Sequence, residues 1–287
     1  MFTGRIVSTV TLLTDFGLED AWVGMMKGVI LGINPKARIV DIPHQIPPQD
    51  TATAAWTIAA AYSYFPRDTV HVIVVDPGVG SDRNIICARR GAHIFVAPDN
   101  GVLSTVLEPG AGEIRIVKNR DLCLDVVSNT FHGRDILAPV GAHLSLSQDI
   151  ASVGPAAAFE SLVQLDLPKP VLTDSGELRG TVIMIDHFGN VITNIDRPAL
   201  EAFQAANDGC RPEIALGEHH IHGLSATYSR AKTGQPLALF GSMGYLEIAI
   251  FGRDARREMN LSRGDRVKVT RPGQGVPAAG GPQAKRS

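Results

Sequence analysis

Three cysteines in 287 residues, Cys87, Cys123 and Cys210, lie far apart and form no CxxC. The odd count and the spacing exclude a disulfide framework, and a reducing cytoplasm is the expected compartment. Neither sign of charge dominates. The net charge of −2 leaves no global field to draw in nucleic acid or anionic lipid, so neither is expected as a partner. No run approaches the ~20 apolar residues of a membrane span. The N-terminus is apolar for only a few residues before Asp15 and lacks the parts of a signal peptide. No Gly-Lys-Ser/Thr closes a phosphate loop, and GxGxxG, HExxH and DxDxD are all missing. No internal repeat is present.

What is there is a set of apolar runs that stop on an aspartate. VTLLTD ends at Asp15, RIVD at Asp41, VHVIVVD at Asp76, HIFVAPD at Asp99 and TVIMID at Asp186. Short Val, Ile and Leu runs read as buried strands. A carboxylate at the C-terminal end of such a strand lies where open α/β sheets bind ligands. The first part alternates strand and helix, with strands expected at 5–14, 38–42, 69–75, 85–89 and 93–97. A helix capped by Asp20 ends before Pro35, an alanine-rich helix is capped by Asp50, a short helix runs over 101–107 and another over 135–146. Residues 113–127 read as one or two further strands. The fold class is therefore α/β, with a mostly parallel sheet sandwiched by helices over residues 1–160. Residues 161–178 read as a linker, and 179–270 as a smaller all-β, barrel-like domain with short strands between glycine turns. Residues 271–287 are expected to be a disordered tail.

Four segments could carry chemistry. VVDPGVGSDR puts Asp76 at a strand end and Arg83 seven residues on, either as an ion pair holding a substrate or water, or as a plain turn shaped by Pro77 and Gly78. FHGRD places His132, Arg134 and Asp135 before a helix: His132 suits proton transfer, and Asp135 reads as the helix cap. IDHFGNVITNI sets Asp186, Phe188 and Asn190 around a turn. Phe188 offers a stacking face and Asn190 suits a nucleobase edge, while a simple hairpin turn is the competing reading. GYLEIA carries one charge, Glu247, in an apolar strand, where it bonds a ligand or faces solvent. His219, His220 and His222 in EHHIHG lack a clear third ligand, so no metal site is assigned.

In this order, TDFG, VVDPGVGSDR, FVAPDNGVL, FHGRDIL, IDHFGNVITNI and GYLEIA resemble the S-adenosyl-L-methionine hydroxide adenosyltransferases, relatives of the fluorinases and chlorinases. The resemblance covers roughly residues 9 to 270. It implies an α/β domain, a β domain and a homotrimer with active sites between subunits. The implied reaction is attack of water or hydroxide on C5′ of S-adenosyl-L-methionine, giving adenosine and L-methionine without a cofactor. The positions matching the family's water-holding triad are Asp76, Arg83 and His132. Asp15 matches a ribose contact, Asp186 a methionine-end contact, Phe188 and Asn190 adenine contacts, and Ser242 and Glu247 further ligand contacts. The fluorinase-like members have Tyr in place of Asp76, Tyr-Ser in place of His132-Gly133, and an inserted loop after that strand. They also have an Arg where this chain has Met243. A halide-using enzyme and a non-catalytic adenosine or S-adenosyl-L-methionine sensor are the alternatives.

The substrate's sulfonium leaves as a neutral thioether, so no general acid is needed. The protein must orient a partly deprotonated water in line with the C5′–S bond. Arg83 carries only donors. The expectation is that Asp76 and Arg83 fix the water while His132 takes its proton.

Overall fold

In the computed structural model, which describes residues 8–110 and 112–273, the apolar runs of the first half become a six-stranded sheet. In chain order the elements are β1 (Thr9–Thr14), α1 (Trp22–Ile33), β2 (Arg38–Asp41), α2 (Thr51–Ala61), β3 (Val70–Val74), β4 (Ile85–Arg90), β5 (His93–Pro98), β6 (Ile114–Ile116) and α3 (Ala138–Ser147). The spatial order is β2-β1-β3-β5-β4-β6. The first four of these run parallel, and β4 runs antiparallel to both β5 and β6. Every residue of β1 and β3 is buried, as expected of central parallel strands covered on both faces. Alternation along β1 decides what meets what. Val10 and Leu12 pack with Met26 and Ile30 of α1 and Leu144 of α3, whereas Leu13 joins Ala54 and Ile58 of α2 on the other face.

Several helix readings change. Asp50 caps α2 through the Thr53 N–H at 3.0 Å, but Asp20 does not cap α1: Ala21 holds that position without a side-chain bond. Residues 101–107 form turns rather than a helix, held in part by Asn100, whose side chain donates to the Val75 carbonyl at 2.8 Å. The stretch 113–127 yields only β6 and a short 3-10 turn at Arg120–Leu122. The helix expected at 135–146 is entered through a π-helical turn, Gly133–Leu137.

The chain divides into two compact units between Asp166 and Leu167. The second unit contains β7 (Val171–Leu172), β8 (Leu178–Ile185), β9 (Val191–Asp196), α4 (Arg197–Ala206), β10 (Glu213–Leu216), β11 (His219–His222), β12 (Pro236–Phe240), β13 (Tyr245–Ile250), α5 (Ala255–Glu258) and β14 (Arg266–Thr270). All pairings are antiparallel, along the path β11-β10-β14-β8-β9-β13-β12, with β7 added beside β8. Part of the segment read as a linker is thus a short paired strand. The Ser225 N–H, just after β11, donates to Ala238 of β12 at 2.7 Å, so the two ends of the path approach a barrel. Helix α4 was not expected. Asp196 caps it through the Ala199 N–H at 2.9 Å, and Leu200 and Phe203 enter a core with Leu178, Ile195, Ile214 and Leu246. Of the tail expected at 271–287, residues 274–287 lie outside the described residues.

Candidate active site

At the C-terminal ends of β1 and β3, Asp15 and Asp76 reach one cleft of about 290 Å³ in the first unit, together with Phe16, Gln49, Phe131 and His132. Arg83 closes on Asp76 with both arms of its guanidinium. Nε donates to Oδ1 at 2.6 Å, and Nη2 donates to Oδ2. The same Nη2 lies 3.0 Å from His132 Nδ1. Only 9% of the Arg83 side chain and 5% of Asp76 are exposed, so the pair is the buried, bidentate kind whose rupture leaves an uncompensated charge. The plain surface-turn reading of VVDPGVGSDR does not hold.

Local backbone chemistry brings the three groups together. Gly80 sits at φ 82°, and a Cβ there would strike the Asn129 carbonyl, so the turn after Asp76 can press against the loop before His132 only with glycine. At Gly133 an added Cβ would meet Val74 Cγ1 at 3.0 Å, and this close approach seats His132 over the end of β3. Asp135 is buried, but it is not the cap expected of it. Its Oδ2 accepts the Ser128 N–H at 2.9 Å and its Oδ1 accepts Arg134 Nε at 2.5 Å, bracing the loop that carries Phe131 and His132. Burial opposes the charge on Asp135, yet the Arg134 and Ser128 bonds outweigh it and hold its pKa below the usual range. Asp15 Oδ2 accepts the Gln49 N–H at 2.8 Å. Its neighbour Thr14 pairs with buried His44 at 2.9 Å and receives the Phe16 N–H at 3.2 Å, which fixes the bend of the chain around Asp15.

Because arginine offers only donors, His132 Nδ1 must accept, and the ring hydrogen sits on Nε2. Burial, then the Arg83 charge, lowers the His132 pKa and keeps the ring neutral. The expectation that His132 removes a proton from water is not met by this tautomer. The ring's remaining polar atom is an N–H donor.

The second unit holds a larger cleft of about 730 Å³, to which Asp186, Phe188, Asn190, Ser242, Met243 and Glu247 all contribute. Asp186 organises its turn: Oδ1 accepts the N–H groups of Phe188 and Asn190 at 2.9 and 2.8 Å, and Oδ2 accepts Asn190 Nδ2 at 2.9 Å. The hairpin reading of this segment is thus correct as far as it goes, with Gly189 at φ 83°. It also leaves the Phe188 ring 75% exposed at the cleft. Glu247 is buried rather than solvent-facing, and Tyr228 donates its hydroxyl to Oε1 at 2.6 Å. Burial raises the Glu247 pKa against the Tyr228 bond, and the Asp186 charge raises it further.

Tyr228, Phe16 and Phe131 were missed as site residues. Nothing in SATYSR marks Tyr228, which meets its partner 19 positions away only through folding. Phe16 and Phe131, ring to ring at 5.7 Å, adjoin TDFG and FHGRD and could have been picked up as neighbours of the charged residues. Asp41 and Asp99 take structural roles. Asp41 pairs with Lys27 at 2.7 Å, and Asp99 receives the Val163 N–H at 3.0 Å. His220 is engaged by Glu213 at 2.9 Å, and among the described residues no three His, Cys, Asp or Glu side chains are grouped to hold a metal ion.

An α/β unit with a charged triad at its strand ends and an antiparallel β unit with an aromatic-edged cleft define a two-domain protein with a polar cleft in each unit. The family models narrow that class. The model described as SAM hydroxide adenosyltransferase N-terminal domain matches residues 10–154, and its C-terminal counterpart matches residues 180–268. The chain belongs to the SAM hydroxide adenosyltransferase family. It is 35% identical to the (R)-S-adenosyl-L-methionine hydrolase of Salinispora tropica, across 91% of this chain and 97% of that one. It is 30% identical to a fluorinase of Actinoplanes sp., over 91% and 97% of the two chains. The crystal structure of an uncharacterized conserved protein from Thermotoga maritima superposes with a TM-score of 0.83 at 36% identity, covering 91% of this chain and all (100%) of that one.

Proposed function

We propose that this protein is an enzyme that hydrolyses S-adenosyl-L-methionine by attack of water or hydroxide at C5′, releasing adenosine, L-methionine and one proton. The observation that carries the reading is the Asp76–Arg83–His132 arrangement, of which Asp76 and His132 line the cleft that also holds Asp15. Arg83 and the Nε2–H of His132 are donors around which an oxygen nucleophile can be held as it loses a proton, and Asp76 locks Arg83 in place. Asp15 serves the ribose hydroxyls. The developing charge is small because the sulfonium leaves neutral, so the site's task is alignment and stabilisation of the nucleophile.

The second unit supplies recognition. Phe188 stacks on adenine, the side-chain carbonyl of Asn190 and the Glu247 carboxyl meet polar atoms of the ligand, and Ser242 and the Asp186 turn take the methionine end. The two clefts carry complementary halves of one ligand's contacts. This supports sites shared between subunits; the number of subunits, three, comes from the resemblance alone. Cytoplasmic residence belongs to the same reading, and three free thiols are in keeping with it.

The fluorinase relatives make a halide the rival nucleophile. Incubation with S-adenosyl-L-methionine in ¹⁸O-labelled water, with and without chloride, separates the two. Adenosine labelled at the 5′ oxygen under both conditions is expected, and a 5′-chloro nucleoside would overturn the hydrolase reading. Binding without any product would leave a sensor. Sedimentation gives the oligomeric state. Co-expression of Arg83→Met with Phe188→Ala should yield a fraction of sites with the unmutated KM if sites are shared between subunits, and only the raised KM of Phe188→Ala if they are not.

A further inference from the structure

His132 lines a second cavity as well as the cleft that holds Asp15; Asp76 faces the cleft and Arg83 faces the second cavity. This chamber, of about 220 Å³, has Asn84, Lys118, Arg120 and Cys123 among its lining residues. The triad therefore separates the two spaces, one side chain thick at His132 and two deep where Asp76 at the front pairs with Arg83 behind. At roughly 30 Å³ per molecule the chamber holds a handful of waters. No carboxylate is among its lining residues. The ammonium of Lys118 lies 3.5 Å from Asn84 Oδ1, and the Arg120 charge is felt at His132.

The proton balance gives this chamber a role. S-adenosyl-L-methionine and water become adenosine, methionine and one proton: the O–C5′ bond forms, the C5′–S bond breaks with its electron pair going to sulfur, and the water's proton must go elsewhere. The wall offers no strong base for it. Arg83 is a donor, His132 presents an N–H after its Nδ1 is engaged, and both Asp76 oxygens accept from Arg83. A substrate seated against Asp15 covers the triad from the front. We propose that the chamber behind Arg83 and His132 is the port through which water or hydroxide reaches the triad and the proton leaves, with Lys118 and Arg120 favouring the anionic form. This rests on the hydrolase reading above.

Two experiments test it. Cys123 gives a handle in the chamber wall: its benzylthiolation should lower kcat by ~10-fold or more, leave adenosine affinity unchanged and be reversed by dithiothreitol, with Cys123→Ser protected. A mass-confirmed adduct with unaltered kcat overturns the port. In the second experiment, Lys118→Met/Arg120→Met should move the acidic limb of the kcat–pH profile upward by about half a unit or more, since removing cations disfavours hydroxide. An unmoved limb overturns the role of the cations. Should the unmodified protein make no adenosine, it is the hydrolase reading that fails. The port fails when an active protein keeps its kcat with Cys123 modified.

Discussion

The two clefts are built on opposite plans. In the first unit the charged groups face each other: Asp76, Arg83 and His132 are joined by hydrogen bonds before any ligand arrives, and Asp135 and His44 brace the loops that carry the cleft's side chains. In the second unit the polar groups hold the turn, and an apolar ring, Phe188, is left to solvent. The first plan fixes geometry at the cost of buried charge, as chemistry requires. The second leaves apolar surface to be covered by a ligand, as recognition requires.

The sharpest way to break this contrast is to remove the central donor. Arg83→Met should lower turnover by ~10³ while adenosine affinity changes little. A comparable loss of affinity would show that Arg83 recognises as well as reacts. His132→Ala should cost at least ~10² in turnover. His132→Gln, which keeps an N–H donor, should recover part of that loss, and equal damage from both would restore His132 to the role of base. Phe188→Ala should act in the opposite sense, raising KM by ~10-fold with kcat at saturation nearly intact, the size of one stacked base. A fall in kcat alone would erase the division of labour. Tyr228→Phe leaves the buried Glu247 carboxyl without its hydroxyl donor and should destabilise the second unit by about 1–3 kcal/mol in urea unfolding.

Acid should separate the units more gently. His71 is buried in the first unit, with Nδ1 2.8 Å from the Thr11 hydroxyl and Nε2 3.2 Å from His93. Burial first, then the His93 charge, takes its pKa from 6.5 down to about 3. The unfolded chain therefore binds the proton first. Stability is complete above pH 6.5 and drains as the pH falls from 6.5 toward 3, with about 2 kcal/mol gone at pH 5. In the second unit, Glu213 has its pKa lowered: burial opposes the charge, but bonds from the Gly273 N–H and His220 prevail. Its contribution is kept until the pH falls below the ordinary carboxylate range. Unfolding followed at pH 7 and pH 5, with NMR of the His71 ring, should show the first unit weakening while that ring stays neutral.

The strands and the carboxylates at their ends were legible because burial on both faces demands uninterrupted Val, Ile and Leu, and the run ends where the core ends. The triad was legible through two short motifs, since Gly80 must sit where two backbones touch and Gly133 where the Val74 side chain presses on the chain. The rest depended on distance in sequence. Helix α4 carried its own signals, an Asp196 cap and Pro198 in the first turn, but lay between strands and was passed over. The role of Asp135 looked like a cap from its place before a helix, and only the loop folded over it revealed a brace. The tautomer of His132 follows from Arg83, 49 residues away, and no local pattern encodes it.

The π-helical turn at Gly133–Leu137 gives the helix one residue more than an α-turn accommodates. Each residue of an α-helix advances the chain by about 100°. A single deletion that healed this turn would thus swing His132 about a quarter of a revolution around the axis of α3 while leaving the packing of α3 itself in register. The surplus residue acts as an angular offset, uncoupling where the imidazole sits from how the helix is anchored. One codon's insertion or loss there would move the imidazole, and it would be felt only in the part of the core that the turn itself supplies, Leu137 and the close contact at Gly133.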